Sequence, residues 1–168
     1  MGDARRATEP ARIREELRAA DAGRVEALVA RTGFFNAEEI AIARELVEET
    51  LRKGRASGYR FVLADAGDEL AGYACFGPVP ATASSYHLYW IAVAPAWQGR
   101  GLGRILLNRV CELTREAGGE RLYAETSSRA MYAPTRGFYE RTGFHEVAFF
   151  PEYFAPGDGK AVFEKRVV

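Results

Sequence analysis

The sequence of 168 residues is poor in the side chains that metal and redox chemistry use most, with two cysteines, two histidines and two methionines. A zinc site needs thiolate and imidazole ligands at short spacings, and Cys75 and Cys111 form no such pair. No metal is therefore expected. Two thiols also make no disulfide framework, so both read as small buried hydrophobes in a reducing cytoplasm. Net charge is missing too: 23 Lys and Arg balance 23 Asp and Glu. That balance removes any bulk attraction for nucleic acid or an anionic membrane, and neither is expected as a partner. Long apolar runs are absent. The longest, Tyr86 to Trp97, is too short and too interrupted to span a bilayer. Met1 to Pro10 alternates charges and has no apolar centre, which argues against a secretory leader. It is expected to be a flexible tail, with residues 11–168 forming a single domain.

What is present is an alternation of strand and helix patterns. Ile13, Glu15 and Leu17 alternate with charged neighbours and predict a short first strand. Asp21 is expected to cap a helix from Ala22 to about Ala30. Asn36 and Glu39 have the spacing of a capping box, and Ile40, Ala43, Val47 and Leu51 follow at helical period until Gly54. Arg60 to Asp65 and Leu70 to Phe76 read as strands joined by the turn Ala66-Gly67-Asp68. Tyr86 to Val93 reads as a central strand that Pro95 ends. Leu106, Val110, Leu113 and Ala117 mark a helix face closed by Gly118-Gly119. Arg121 to Thr126 is a further strand. Pro134 suits the first turn of a short helix ending before Gly143. Phe144 to Phe150 and Ala161 to Val167 are the last strands, with Pro151 to Lys160 expected as a loop. The fold class is α/β, with a mixed, mostly antiparallel sheet and helices packed on it.

The most informative segment lies between the central strand and its helix: Gln98-Gly99-Arg100-Gly101-Leu102-Gly103. A glycine-rich turn into a helix N-terminus offers free backbone N–H groups and partial positive charge to an anion. Arg100 and Arg104 add side-chain charge. A P-loop requires Lys followed by Ser or Thr after its last glycine, but Arg104-Ile105 follows Gly103. A dinucleotide fingerprint requires the spacing GxGxxG in an early parallel βαβ unit, and neither condition holds. A CoA loop of the form Q/R-x-x-G-x-G/A is matched by Gln98, Gly101 and Gly103.

The run Ile91-Ala92-Val93-Ala94-Pro95 before this loop, and Phe138-Tyr139-Glu140-Arg141-Thr142-Gly143-Phe144 after it, resemble signatures of the GCN5-related N-acetyltransferase (GNAT) family. The resemblance in element order covers about Ile13 to Arg166. It implies the GNAT fold, with about seven strands and about four helices. It also implies acetyl-CoA as acyl donor and transfer of its acetyl group to a primary amine of a small molecule, peptide or protein. Main-chain groups at Ile91, Ala92 and Val93 are then expected to hold the pantetheine arm. Gln98, Gly99, Arg100, Gly101, Leu102, Gly103 and Arg104 are expected to hold the pyrophosphate. Tyr139 takes the place of the tyrosine that protonates the departing thiolate. Glu125 matches a glutamate used as base in some ribosomal-protein N-terminal acetyltransferases. His87 lies about where histone-type relatives carry a catalytic glutamate.

The sequence departs from the family after Thr126. Many members have an asparagine there that contacts pantetheine, whereas this chain has Ser127-Ser128-Arg129. Ser127 is taken as the substitute, alongside the reading that these serines cap a turn. Thr32 to Phe35 and Pro151 to Lys160 correspond to acceptor-side segments, rich in aromatic and acidic residues. The acceptor itself stays open, and a homodimer is compatible with the sequence. A non-catalytic acyl-CoA-binding sensor or interaction module is the rival reading.

Overall fold

The computed structural model describes residues 10–168; the expected tail, Met1 to Pro10, otherwise lies outside them. Among the described residues there are seven strands and four α-helices. They are β1 (Arg12–Arg14), α1 (Asp21–Thr32), α2 (Ala37–Lys53), β2 (Arg60–Ala66), β3 (Glu69–Pro78), β4 (Ser85–Val93), α3 (Leu102–Glu116), β5 (Arg121–Ser127), α4 (Ala133–Arg141), β6 (His145–Ala155) and β7 (Asp158–Arg166). The strands form one sheet in the order β1-β2-β3-β4-β5-β7-β6. β4 and β5 pair parallel, while β1–β2, β5–β7 and β6–β7 pair antiparallel. This is the mixed, mostly antiparallel sheet that the strand pattern predicts.

By contacts the chain divides into two compact units. The first comprises the chain up to Cys75 together with Trp90–Leu107, and the second comprises Phe76–Tyr89 with Asn108–Val168.

In the first unit, Val25, Leu28 and Val29 of α1 and Val47 of α2 bury their side chains with Phe61, Leu63, Leu70 and Tyr73 of β2 and β3. Spacings of three and four residues put one stripe of each helix on this core. The capping box of α2 forms as its sequence predicts. Asn36 accepts from the Glu39 N–H at 2.9 Å, and Glu39 accepts from the Asn36 N–H at 2.9 Å. Two expectations need correction. The first strand stops at Arg14, because Arg14 turns its guanidinium onto Asp65 and Asp21 and the chain leaves the sheet. Asp21 is the first residue of α1, not its cap. It is fully buried, and accepts from the Arg14 guanidinium at 2.7 and 2.8 Å, the Arg18 N–H at 2.7 Å and Arg24 at 3.1 Å. A wholly desolvated carboxylate is tolerated only with such a donor set.

In the second unit, Leu122, Ala124, Phe144, Phe163 and Val167 are buried, with Tyr139 of α4 packed among them. Gly119 sits against Tyr86 and Thr114, where a Cβ would come within 2.5 Å of Thr114 Cγ2. The expected loop Pro151 to Lys160 is instead a long hairpin. β6 runs to Ala155 and β7 begins at Asp158, with Gly157 in the left-handed region at φ 76°. The irregularity lies within β6, where the register to β7 shifts between Phe150 and Ala155. Pro151 lies in this stretch; it lacks the N–H that a regular ladder requires.

Candidate active site

In the first unit, the end of β4 leads into the glycine loop through a turn at Pro95–Trp97. The Ala94 N–H donates to Ala71 O at 2.8 Å, and the Gln98 N–H donates to Pro95 O at 3.3 Å. The Gln98 side chain reaches back and donates to Val93 O at 3.1 Å. It therefore straps the loop to the strand end. Gly99 and Gly101 have φ of 73° and 80°, and a Cβ on either would meet no protein atom within 4 Å. Backbone conformation, and not lack of space, requires glycine there. The Ile105 N–H donates to Gly101 O at 3.1 Å, closing the first turn of α3. Helix geometry leaves the N–H groups of Leu102, Gly103 and Arg104 without intrahelical acceptors. The Arg100 guanidinium lies 5.4 Å from the centre of the Trp97 ring, and Arg104 is exposed. Of the strand residues expected at pantetheine, Ala92 is buried, while Ile91 and Val93 are half-buried.

Gly72 of β3 supports this arrangement and has no signature in the sequence. A Cβ there would stand 2.9 Å from Ala92 O and 3.0 Å from Leu106 Cδ1. Close approach of β3 to the strand before the loop and to the helix after it depends on that missing methyl.

In the second unit, the parallel ladder pairs Ser85–Leu88 with Arg121–Ala124 and ends there, although β4 runs on to Val93 and β5 to Ser127. On its other side β5 stays paired with β7 as far as Ser127↔Lys160. The strand edge at Glu125 to Ser127 is thus outside the parallel ladder, the setting in which an extended ligand can add as a strand.

Strand alternation places His87 and Tyr89 on one face of β4, and Tyr123 and Glu125 on the same face of β5 through the His87↔Tyr123 pairing. Glu125 pairs with Lys160 by a 3.3 Å ion pair. His87 lies within electrostatic reach of both. Burial lowers its pKa below the ordinary histidine value and Lys160 acts the same way, while Glu125 pulls it upward. The imidazole is consequently neutral at pH 7, the form that accepts a proton. Lys160 was not singled out by sequence reasoning, since a lysine at the start of a polar strand carries no distinguishing pattern.

Tyr139 stands on the opposite face of this sheet. Its ring is 5.1 Å from Phe144 and 5.5 Å from Phe163, and Phe163 alternates with the Val162 that pairs with Glu125. Burial pushes the phenol well above its usual pKa, so its proton is retained at neutral pH. The structure therefore groups Glu125 with His87 and keeps Tyr139 apart from them. Ser127 donates its hydroxyl to Asp158, accepts from the Arg129 N–H at 3.1 Å, and gives its carbonyl to Arg136 at 2.7 Å. Ser128 accepts from the Gly159 N–H at 2.8 Å. Both serines pin the turn after β5 to the β6–β7 hairpin.

The model of the acetyltransferase (GNAT) family matches residues 27–144. The chain belongs to the GNAT family. A solved GNAT-family structure from Desulfovibrio desulfuricans is 48% identical and has a TM-score of 0.92, covering 94% of this chain and 99% of that one. The [ribosomal protein bS18]-alanine N-acetyltransferase of Salmonella typhimurium is 31% identical over 122 residues, which is 73% of this chain and 79% of that protein. The same fold occurs in yncA from Salmonella typhimurium, solved with acetyl-CoA, at TM-score 0.73, 20% identity and 95% coverage of each chain. The chain spans 24%, 28% and 48% of the length of the first curated relatives it matches. The GNAT match includes the glycine loop, both candidate bases and Tyr139, and stops before the β6–β7 hairpin.

Proposed function

We propose that this GNAT-family chain transfers the acetyl group of acetyl-CoA directly to a primary amine of a small molecule, peptide or protein. The observation that carries the reading is the loop Gln98 to Gly103, with left-handed Gly99 and Gly101 leading into the N-terminus of α3. In this reading the N–H groups around Gly99 to Gly103 take the pyrophosphate, helped by Arg100 and Arg104. Main-chain groups of Ile91 to Val93 take the pantetheine amides. Ser127 is left out of this reading, since its hydroxyl is bound to Asp158 and its carbonyl to Arg136.

The acceptor arrives as an ammonium and must lose a proton before it attacks. Glu125 is the proposed base, with His87 as its neutral partner. The amine nitrogen then forms a bond to the thioester carbonyl carbon, and the C–S bond breaks on collapse of the tetrahedral adduct. The CoA thiolate takes the proton of Tyr139; Glu125 passes the first amine proton to water, the adduct nitrogen releases its second proton to water, and Tyr139 recovers a proton from solvent. Tyr139 suits the donor role because burial keeps its phenol protonated. A reducing compartment, the cytoplasm, fits the two free, buried thiols Cys75 and Cys111. Among the described residues no helix is long and apolar enough to cross a membrane.

The test is release of free CoA thiol from acetyl-CoA over a panel of amines, with calorimetry of acetyl-CoA alone beside it. Amine-dependent thiol release is expected. Tight CoA binding without release on any amine would instead make the chain an acyl-CoA-binding module.

A further inference from the structure

Lys160 has surroundings unlike those of any other lysine described. Its ammonium lies 3.3 Å from Glu125 Oε2, 3.9 Å from the centre of the Tyr153 ring and 5.4 Å from that of Phe150. A carboxylate on one side and aromatic faces on the other are the elements of an ammonium cage. The walls reach solvent more than the occupant: the side chains of Glu125 and Lys160 are 39% and 12% exposed, and Tyr153 is 57% exposed. The backbone supports the arrangement at a cost. Tyr153 lies in the stretch of β6 where the register to β7 shifts, and the preceding Glu152 is held at φ 54°, a left-handed conformation for a side chain that disfavours it. A bulge with local strain re-aims a side chain, and it persists only where the surroundings hold it.

We infer that Glu125, Tyr153 and Phe150 form a cage for an alkylammonium group, that this chain's own Lys160 fills it, and that the acetyl acceptor is a linear alkylamine whose ammonium displaces Lys160. Only the word acceptor rests on the transferase reading above. Lys160 is itself a primary ammonium on four methylenes, so the cage accommodates that shape. Its flexible stem and half-exposed partner make the exchange for another such group inexpensive. An α-amino acid is disfavoured, because its carboxylate would sit one carbon from the amine and face Glu125. The amine bound against Glu125 is also the amine whose proton Glu125 would remove.

Calorimetry on the full chain tests this with n-pentylammonium, using 1-pentanol as a neutral control of the same shape. Lys160→Ala is expected to bind pentylammonium about tenfold more tightly than the wild type, with no gain for pentanol. Lys160→Arg, which keeps an occupant, is expected to bind like the wild type. Equal pentylammonium affinity in the wild type and Lys160→Ala, or an equal gain for pentanol, overturns the cage. The wild type supplies a measurement that needs no variant to fold. The ε-methylene protons of Lys160, shielded by Tyr153, are expected to move to unshielded positions as pentylammonium saturates the protein. Unmoved resonances at saturation overturn the displacement. Acetyl-CoA calorimetry on the same samples separates the two ideas. A cage that binds pentylammonium in a protein that ignores acetyl-CoA sinks the transferase reading and keeps the cage; an absent cage beside intact acetyl-CoA binding sinks the cage alone.

Discussion

Replacing Gly101 with alanine puts one methyl on a residue at φ 80°. The protein around it offers no clash, since that Cβ would meet nothing within 4 Å. The folding cost is then conformational alone, about 1–2 kcal/mol for an L residue in the left-handed region. For a chain of this size that corresponds to a fall in Tm of roughly 2–8 °C. Gly118 is a matched control. It has φ 83°, and its Cβ would also meet nothing within 4 Å, but it closes the C-terminus of α3 instead of opening its N-terminus. Gly118→Ala is therefore expected to lose similar stability. The two variants part company on ligand. If the Gly101 methyl stands where the pyrophosphate approaches the backbone, one or more charge-assisted hydrogen bonds are lost, each about 1.5–3 kcal/mol. Acetyl-CoA affinity of Gly101→Ala is then expected to fall roughly tenfold to a hundredfold, with Gly118→Ala unchanged. Gly101→Glu, which adds negative charge, is expected to abolish binding. Thermal melts and calorimetry on the pair decide it. Equal acetyl-CoA affinity in the two alanine variants would refute the loop assignment, whatever happens to stability.

Three further outcomes follow from named contacts. Tyr139→Phe keeps the ring packing on Phe144 and Phe163 and removes the proposed acid, so turnover is expected to fall roughly a hundredfold or more, with CoA affinity held; a full-rate Phe variant would remove Tyr139 from the chemistry. Asp21→Ala removes one of the two carboxylates on the Arg14 guanidinium and leaves Asp65, and is expected to cost about 1.5–3 kcal/mol in urea unfolding. Burial alone would raise the Asp21 carboxyl, but hydrogen bonds from Arg14, Arg18 and Arg24 hold it below its ordinary value. The stabilisation is thus complete above the unfolded carboxylate pKa and is lost as pH falls through the lower folded value; a wild-type stability that is flat through that acid range would contradict the network. Glu125→Gln removes the one charge that pulls the His87 pKa upward, so the imidazole is expected to titrate lower still by NMR, and an upward shift would break the proposed grouping.

Much of this was legible in the chain because it depends on near neighbours. Asn36 and Glu39 announce the start of α2, since a capping box is closed within four residues. Gln98 to Gly103 announces a turn into a helix for the same reason: two left-handed residues and a helix start are local properties. The Ile91–Pro95 and Phe138–Phe144 runs carried the GNAT assignment, and the family match over residues 27–144 agrees. Other features depend on partners that the local pattern does not announce. Asp21 has the composition of a cap, but its acceptors are filled by Arg14 and Arg24 across a buried network. Ser127 donates its hydroxyl to Asp158 of the next hairpin, a partner that its own neighbours do not announce. The Pro151 to Lys160 segment looks like a loop because proline and glycine punctuate it, yet pairing with β7 draws it into the sheet.

By itself, then, the sequence determined the family, the order of strands and helices, and the conformation of the glycine loop, because periodicity, caps and left-handed glycines are written within a few residues. The tertiary structure alone decided that Glu125 meets Lys160, that His87 lies half-buried within electrostatic reach of them, and that Tyr139 lies on the other face of the same strands. Those relations come from strand register and from side chains more than twenty residues apart in sequence. A single residue type at a single position cannot encode which distant charge it will face.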